Sequence, residues 1–245
     1  MSTLLLSLLF ALAAAAANIL GSTIVTSQKW AQRSLRYFIA VGSGFMMGTI
    51  FLEMIPEIMK AQVKTQTSVS WPALLLIGYL IVHFFEHTFT AHMHFGEETH
   101  HEEMNPAVGF SALVGMLVHT FFDGVTIGAG FMISQRVGIL LFLAVFLHKI
   151  VDGFTIASIV VSSGYSAARA MGASVLLAIA TLIGVVAVHT WGSADYALPI
   201  TAGCTLYIAA TDLMPEVNQE VGVRMAVLVF AGMGLFLLVS QIAPG

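Results

Sequence analysis

The sequence predicts an all-α polytopic membrane protein, and three observations carry that prediction. Of 245 residues, 58% are hydrophobic and only 9% are charged, nine basic and thirteen acidic. A soluble domain carries about a quarter charged residues, so this chain lacks the polar surface to cover itself in water. The apolar residues gather into eight stretches, 3–27, 37–59, 71–90, 107–134, 137–161, 170–190, 197–216 and 223–243. Each is close to the roughly 20 residues a helix needs to cross the hydrocarbon. The stretches are also continuous and rich in Ala, Leu and Gly, unlike the alternating segments of about 10 residues that build membrane β-barrels.

Taken in order, the first stretch holds an Ala run, Ala13 to Ala17, that could end a signal peptide. No Lys or Arg precedes it, and the apolar run continues through Ile19, Leu20, Ile24 and Val25, which favours a retained helix. The second carries Met46, Met47 and the run FLEMIPE with Glu53 and Glu57; the third ends in His83, Glu86 and His87. Between the third and fourth lies a loop, 91–106, in which His92, His94, His100 and His101 are interleaved with Glu97, Glu98, Glu102 and Glu103. Such a tract reads either as a transient metal-binding loop or as a solvated acidic one.

The fourth and fifth stretches are joined by a few residues around Gln135 and Arg136, which makes them antiparallel neighbours. The seventh ends in Asp212, Pro215 and Glu216. Pro72, Pro106 and Pro199 are expected to open spans, where a missing N–H costs little. Trp30, Trp71 and Trp191 fall at span edges, where amphipathic rings favour the headgroup layer.

Charge and cysteine usage exclude several classes. A formal net charge of −4 offers no basic surface for a nucleic acid, and the lone Cys204 excludes a disulfide framework or a thiolate-rich metal site. With the N-terminus outside, the inner loops hold Lys29, Arg33, Arg36, Arg169 and Arg224 and the outer loops Lys60, Lys64 and Arg136. Five against three favours both termini outside.

A charge at the bilayer centre costs at least about 2.5 kcal/mol, so ionisable residues within spans mark function by default. Glu53, Glu57, Glu86, Asp123, Lys149, Asp152, Asp212 and Glu216 fall inside or at the ends of the stretches. The sharpest constellation is doubled: His119 and Asp123 in the fourth, His148 and Asp152 in the fifth. A spacing of four puts each pair on one helix face, about one turn apart. Antiparallel packing brings both pairs to mid-membrane depth. Two imidazoles and two carboxylates form a cage for a borderline divalent ion such as Zn²⁺, Fe²⁺ or Mn²⁺. The plainer reading is that each His and Asp only satisfies the other.

The runs HTFFDGVTIGAGF, HKIVDGFTIASI and GCTLYIAATDLMPE, with FLEMIPE and FFEHTF, resemble the signatures of the ZIP (Zrt-, Irt-like protein) family of metal transporters, in a minimal, prokaryote-like form. The resemblance implies eight helices, both termini outside, divalent metal moving into the cytoplasm, and a mid-membrane site between the fourth and fifth helices with alternating access. It also implies primary ligands at His119, Asp123 and Asp152, with His148 at the matching first position of the fifth helix and Met47 as a further candidate. Many members place Pro before a Glu in these motifs, whereas here Phe122 and Val151 precede Asp. Some members hold a second metal through the residue after each His. Here those residues are Thr120 and Lys149, and an ammonium repels a cation. Lys149 is therefore expected to stand in place of the second ion and to balance Asp152 or Asp123; the alternative is that it snorkels toward lipid.

Glu53-Met-Ile-Pro-Glu57 and Asp212-Leu-Met-Pro-Glu216 are alike, which suggests an inverted internal repeat, a common transporter device. They read as entrance and exit carboxylates, or as interfacial acids facing water. Glu86 and His87 join the pathway on the inner side. No cofactor is expected, and the transported ion is zinc first, with iron, manganese or cadmium as alternatives. The expected partners are divalent ions and the bilayer, with homodimerisation left open, and the expected location is a bacterial inner membrane. Two rival functions are an intramembrane metalloenzyme built on His83 and His87, and a proton-coupled carrier using Lys149 as a relay. The first lacks further His boxes, and the second leaves the doubled His/Asp spacing unexplained.

Overall fold

A computed structural model describes residues 2–27, 32–65, 69–89, 106–219 and 222–243. Among these residues there is no strand. The helical rods are α1 (Thr3–Ser27), α2, α3 (Trp71–Phe89), α4 (Pro106–Ile133), α5 (Gln135–Ser162), α6 (Ala167–Trp191), α7 and α8 (Val223–Ile242). Rod α2 comprises Gln32–Thr49, a π-helical turn at Ile50–Met54, and Ile55–Thr65. Rod α7 is built alike from Ala194–Tyr207, a π turn at Ile208–Leu213, and Met214–Asn218. Seven of the rods are long and apolar enough to cross a membrane. At 19 residues, α3 covers about 28 Å, near the thickness of the hydrocarbon core. The chain is a multi-pass integral membrane protein.

Each π turn has a cause in the sequence. Pro56 and Pro215 lack an N–H, and a proline ring crowds the carbonyl four residues back, so the helix widens just ahead of it. The Ile55 N–H reaches Ile50 O and the Met214 N–H reaches Ala209 O, both one residue further back than in an α-helix. The widened turns contain Glu53 in α2 and Asp212 in α7.

Glycines set which rods touch. A Cβ on Gly21 of α1 would collide with Ile150 O of α5, and one on Gly153 of α5 with Asn18 O of α1. The same reciprocal approach joins α4 to α6 (Gly124 on Thr181 O, Gly184 on Phe121 O), α2 to α8 (Gly44 on Val229 O, Gly232 on Val41 O) and α3 to α7 (Gly78 on Ile200 O, Gly203 on Leu75 O). Without a hydrophobic drive between helices in lipid, such backbone approach is how membrane helices gain packing energy. The four joints interchange if α1, α2 and α3 are overlaid on α6, α7 and α8, and α4 on α5. Gly44 and Gly203 stand equally far before Glu53 and Asp212, and Gly124 and Gly153 each directly follow an Asp. Polar groups strengthen one joint: Ser22 Oγ donates to Gly153 O at 2.8 Å and hydrogen-bonds Ser174 Oγ, while Asn18 Nδ2 donates to Ser174 O at 3.0 Å.

The outward faces are apolar. Phe230 and Leu238 of α8, Ile183 of α6 and Phe84 of α3 are each more than half exposed, as a bilayer-facing surface requires. Two expectations are corrected. Pro199 does not open its rod: α7 starts at Ala194 and takes Pro199 inside, past the first turn, where no N–H is offered to the carbonyl four residues back. Trp71 begins α3, but its ring is 1% exposed and packs 5.3 Å from Tyr196, in the protein interior and not among headgroups.

Candidate metal centre

Rods α4 and α5 are separated by Ser134 alone, whose side chain accepts the Val137 N–H at 3.1 Å and caps α5. So short a joint forces antiparallel packing, and His119 and His148 stand at comparable depths on either side of it, roughly 20 Å away at 1.5 Å per residue. His119, Asp123, His148 and Asp152 offer donor atoms that all lie within 4.8 Å of one another.

His119 Nε2 is 3.2 Å from both Asp123 Oδ2 and Asp152 Oδ2; His148 Nε2 is 3.4 Å from Asp123 Oδ1 and 4.0 Å from Asp152 Oδ2. Three of these four separations match the edge of a tetrahedron with bonds of about 2.1 Å, roughly 3.4 Å. The cluster is sealed, its residues from 0% to 6% exposed once Lys149 is included.

The proton on His148 has a fixed place. Its Nδ1 lies 2.9 Å from Ala144 O, a carbonyl that can only accept, so in the neutral ring Nδ1 carries the hydrogen and Nε2 presents a lone pair. That lone pair has no hydrogen-bond partner and faces a carboxylate oxygen. Two acceptors 3.4 Å apart in a dry interior repel each other, so the position calls for a cation, a proton or a metal ion, between them. Backbone anchoring of the far nitrogen is also how metal-binding histidines are oriented.

Lys149 lies in the same enclosure, with Nζ 2.6 Å from Asp123 Oδ2 and 3.2 Å from Asp152 Oδ2, and it is 0% exposed. It points to the carboxylates and not to lipid. Thr120 is buried with its hydroxyl turned onto its own helix, donating to Met116 O and Leu117 O. Met47 is half-buried against the apolar core that includes Leu141, Ala144 and Val151.

The remaining predicted residues divide between the two ends of the bundle. At the end holding Ser134, Glu53 lies 3.8 Å from Arg136 and Glu57 lies 2.9 Å from Lys60. These four line a cavity of about 450 Å³ with Pro56, Ile133 and Ser134. At the opposite end, the buried Glu216 takes Arg36 at 3.1 Å. Glu86 and Asp212 interact electrostatically with each other and with His119 and Asp152, which sets them next to the central cluster. His83 and His87 stack at 4.1 Å between ring centres on the exposed side of α3, with Tyr207 Oη 3.5 Å from His87 Nδ1. His92, His94, His100 and His101 lie outside the described residues.

The two arginines were legible only as loop charges that set orientation, yet each faces a predicted pathway acid. The signal available was the repeated acid-x-x-Pro-Glu motif, since a half-buried acid calls for a cation nearby. Nothing in the sequence pattern marked Asn18, Ser22 and Ser174 as a cluster.

Comparison with known proteins agrees with this architecture. The sequence model of a family described as ZIP Zinc transporter matches residues 1–109 and 96–240. Zinc transporter SLC39A7 of Rattus norvegicus is 31% identical over 150 residues, covering 55% of this chain and 32% of that protein. Its Homo sapiens counterpart is 32% identical over 137 residues, 51% of this chain and 29% of that protein. Zinc transporter YKE4 of Saccharomyces cerevisiae is 23% identical over 219 residues, 76% of this chain and 62% of that protein. The matched segment thus spans about a third of the length of the SLC39A7 proteins, 32% and 29%. These relatives are named as transporters and not as enzymes.

Proposed function

The chain belongs to the ZIP zinc transporter family, and from that premise we propose that it binds one divalent cation, zinc first, at His119, Asp123, His148 and Asp152. It carries the ion across the bilayer into the cytoplasm by alternating access. The observation that supports this most is His148 Nε2, oriented by the Ala144 carbonyl and left without a hydrogen-bond partner 3.4 Å from Asp123 Oδ1. That arrangement is unfavourable when empty and favourable around a cation. A set of two imidazoles and two carboxylates without thiolates suits zinc and admits iron, manganese and cadmium.

The route runs from the cavity at Glu53 and Glu57, through the central cluster, to Glu86, His87, Asp212 and Glu216. Lys149 leaves room for one ion by filling the space between the carboxylates where a second would sit. The count of basic residues in the loops supports both termini outside the cell.

Purified protein in liposomes tests the reading. Wild type is expected to take up zinc down its gradient, and His119→Ala is expected not to. Zinc uptake equal in the two, or absent from both under every gradient, would remove the proposal. Competition by iron, manganese and cadmium ranks the cargo. Metal analysis of the loaded protein is expected to return one ion per chain.

A further inference from the structure

We infer that Lys149 is the counter-charge that lets the emptied site pass through its occluded state, and that it governs net transport more than recognition of the cation; this rests on the transport reading above. The ammonium is wholly buried between Asp123 and Asp152, at 2.6 Å and 3.2 Å, in an enclosure from which solvent is excluded. It has no direct ligand role, because a protonated amine has no lone pair. The described arginines nearest the pathway are engaged elsewhere, Arg36 on Glu216 and Arg136 on Glu53, so Lys149 supplies the positive charge within the cluster.

In the loaded cluster the imidazoles are neutral, as metal ligation requires, so two carboxylates, one ammonium and a divalent cation carry one positive charge. When the cation leaves, the ammonium stays between the two carboxylates. The cost of holding a net charge away from water rises with the square of the charge, so a positive charge held among the acids limits the penalty of the emptied cluster. Without the lysine charge, the loaded cluster would be neutral and the empty one more negative by one full charge, at a higher self-energy. Glu86 and Asp212 are further acids within electrostatic range of the cluster, and both are half-buried.

An alternating-access carrier closes over its site twice per cycle, once loaded and once empty. Net uptake needs both passages, whereas exchange of labelled for unlabelled ion needs only the loaded one. Removing the ammonium therefore slows the empty return selectively. It also tightens the grip on the cation, since one repulsive charge is gone.

The test compares net zinc uptake with radiolabelled zinc counterflow in the same liposomes, for wild type, Lys149→Met, Lys149→Gln and Lys149→Arg. The expected result is a ratio of counterflow to net uptake that rises at least about tenfold in both neutral variants and stays within about twofold of wild type in Lys149→Arg. A purely structural lysine would depress both rates together. The inference is overturned if the ratio is unchanged in both neutral variants, or if Lys149→Arg shifts it as far as they do. A wild type without counterflow would overturn the transport reading itself, before any variant is compared.

Discussion

Arg36 Nε holds Glu216 Oε1 at 3.1 Å, tying the start of α2 to the end of α7 across opposite halves of the repeat. Glu216 is buried and its second oxygen has no hydrogen-bond partner, while Arg36 keeps about a third of its side chain exposed. Arg36→Met strands that acid, and a buried acceptor deprived of its partner costs about 1–3 kcal/mol. Thermal unfolding in detergent should show the loss, and Glu216→Gln in the Arg36→Met background should recover most of it. Additive losses in the double variant would show that the two side chains do not act as a pair.

His148→Ala removes a lone pair that no other group in the cluster can replace. Zinc affinity measured by titration calorimetry should fall by more than about 100-fold, since even outer-shell partners of a metal ligand are worth 10- to 100-fold. His148→Ala binding zinc as wild type does would remove His148 from the ligand set.

Thr120→Val separates ligation from packing. The hydroxyl is spent on Met116 O and Leu117 O of its own helix, and valine preserves the branched shape. Zinc affinity is expected to stay within about twofold of wild type, the scatter of a substitution that touches no key interaction. A larger loss would mean that Thr120 turns inward when the cation arrives.

Alanine at two glycines should have opposite effects. At Gly124 the added Cβ meets the backbone at Thr181 O, whereas at the exposed Gly172 nothing lies within 4 Å. Gly124→Ala is expected to destabilise by about 1–3 kcal/mol through overpacking. Gly172→Ala, in mid-helix, should stabilise by up to about 1 kcal/mol. Melting temperatures of the two purified variants, moving in opposite directions, would check both.

Helix content and span order were legible because hydrocarbon is an unforgiving solvent: a stretch such as Val223–Ile242 admits few readings other than a helix in lipid. The central cage was legible for a related reason. His119, Asp123, His148 and Asp152 are expensive in the bilayer, their spacing of four selects one helix face, and a short loop fixes the relative depth of their helices. Lys149 was harder, because one helix gives its depth but not its direction. Only the partner helix, which brings Asp123 to 2.6 Å, turns it inward.

What stayed hidden depends on pairings between rods distant in sequence. Gly44 and Gly232 are unremarkable letters until α2 lies against α8, and Trp71 was misplaced because its ring finds Tyr196 from α7. The π turns could have been anticipated from Pro56 and Pro215. A proline inside an apolar run, though, signals a break without saying whether the helix kinks, stops or widens.

Ser134 has one more consequence. Because a single residue links Ile133 to Gln135, the two arms that carry the cage are held like the jaws of forceps pinned at one end. Neither arm can slide along its neighbour without unwinding a cap, so the donors on one arm keep their depth relative to those on the other.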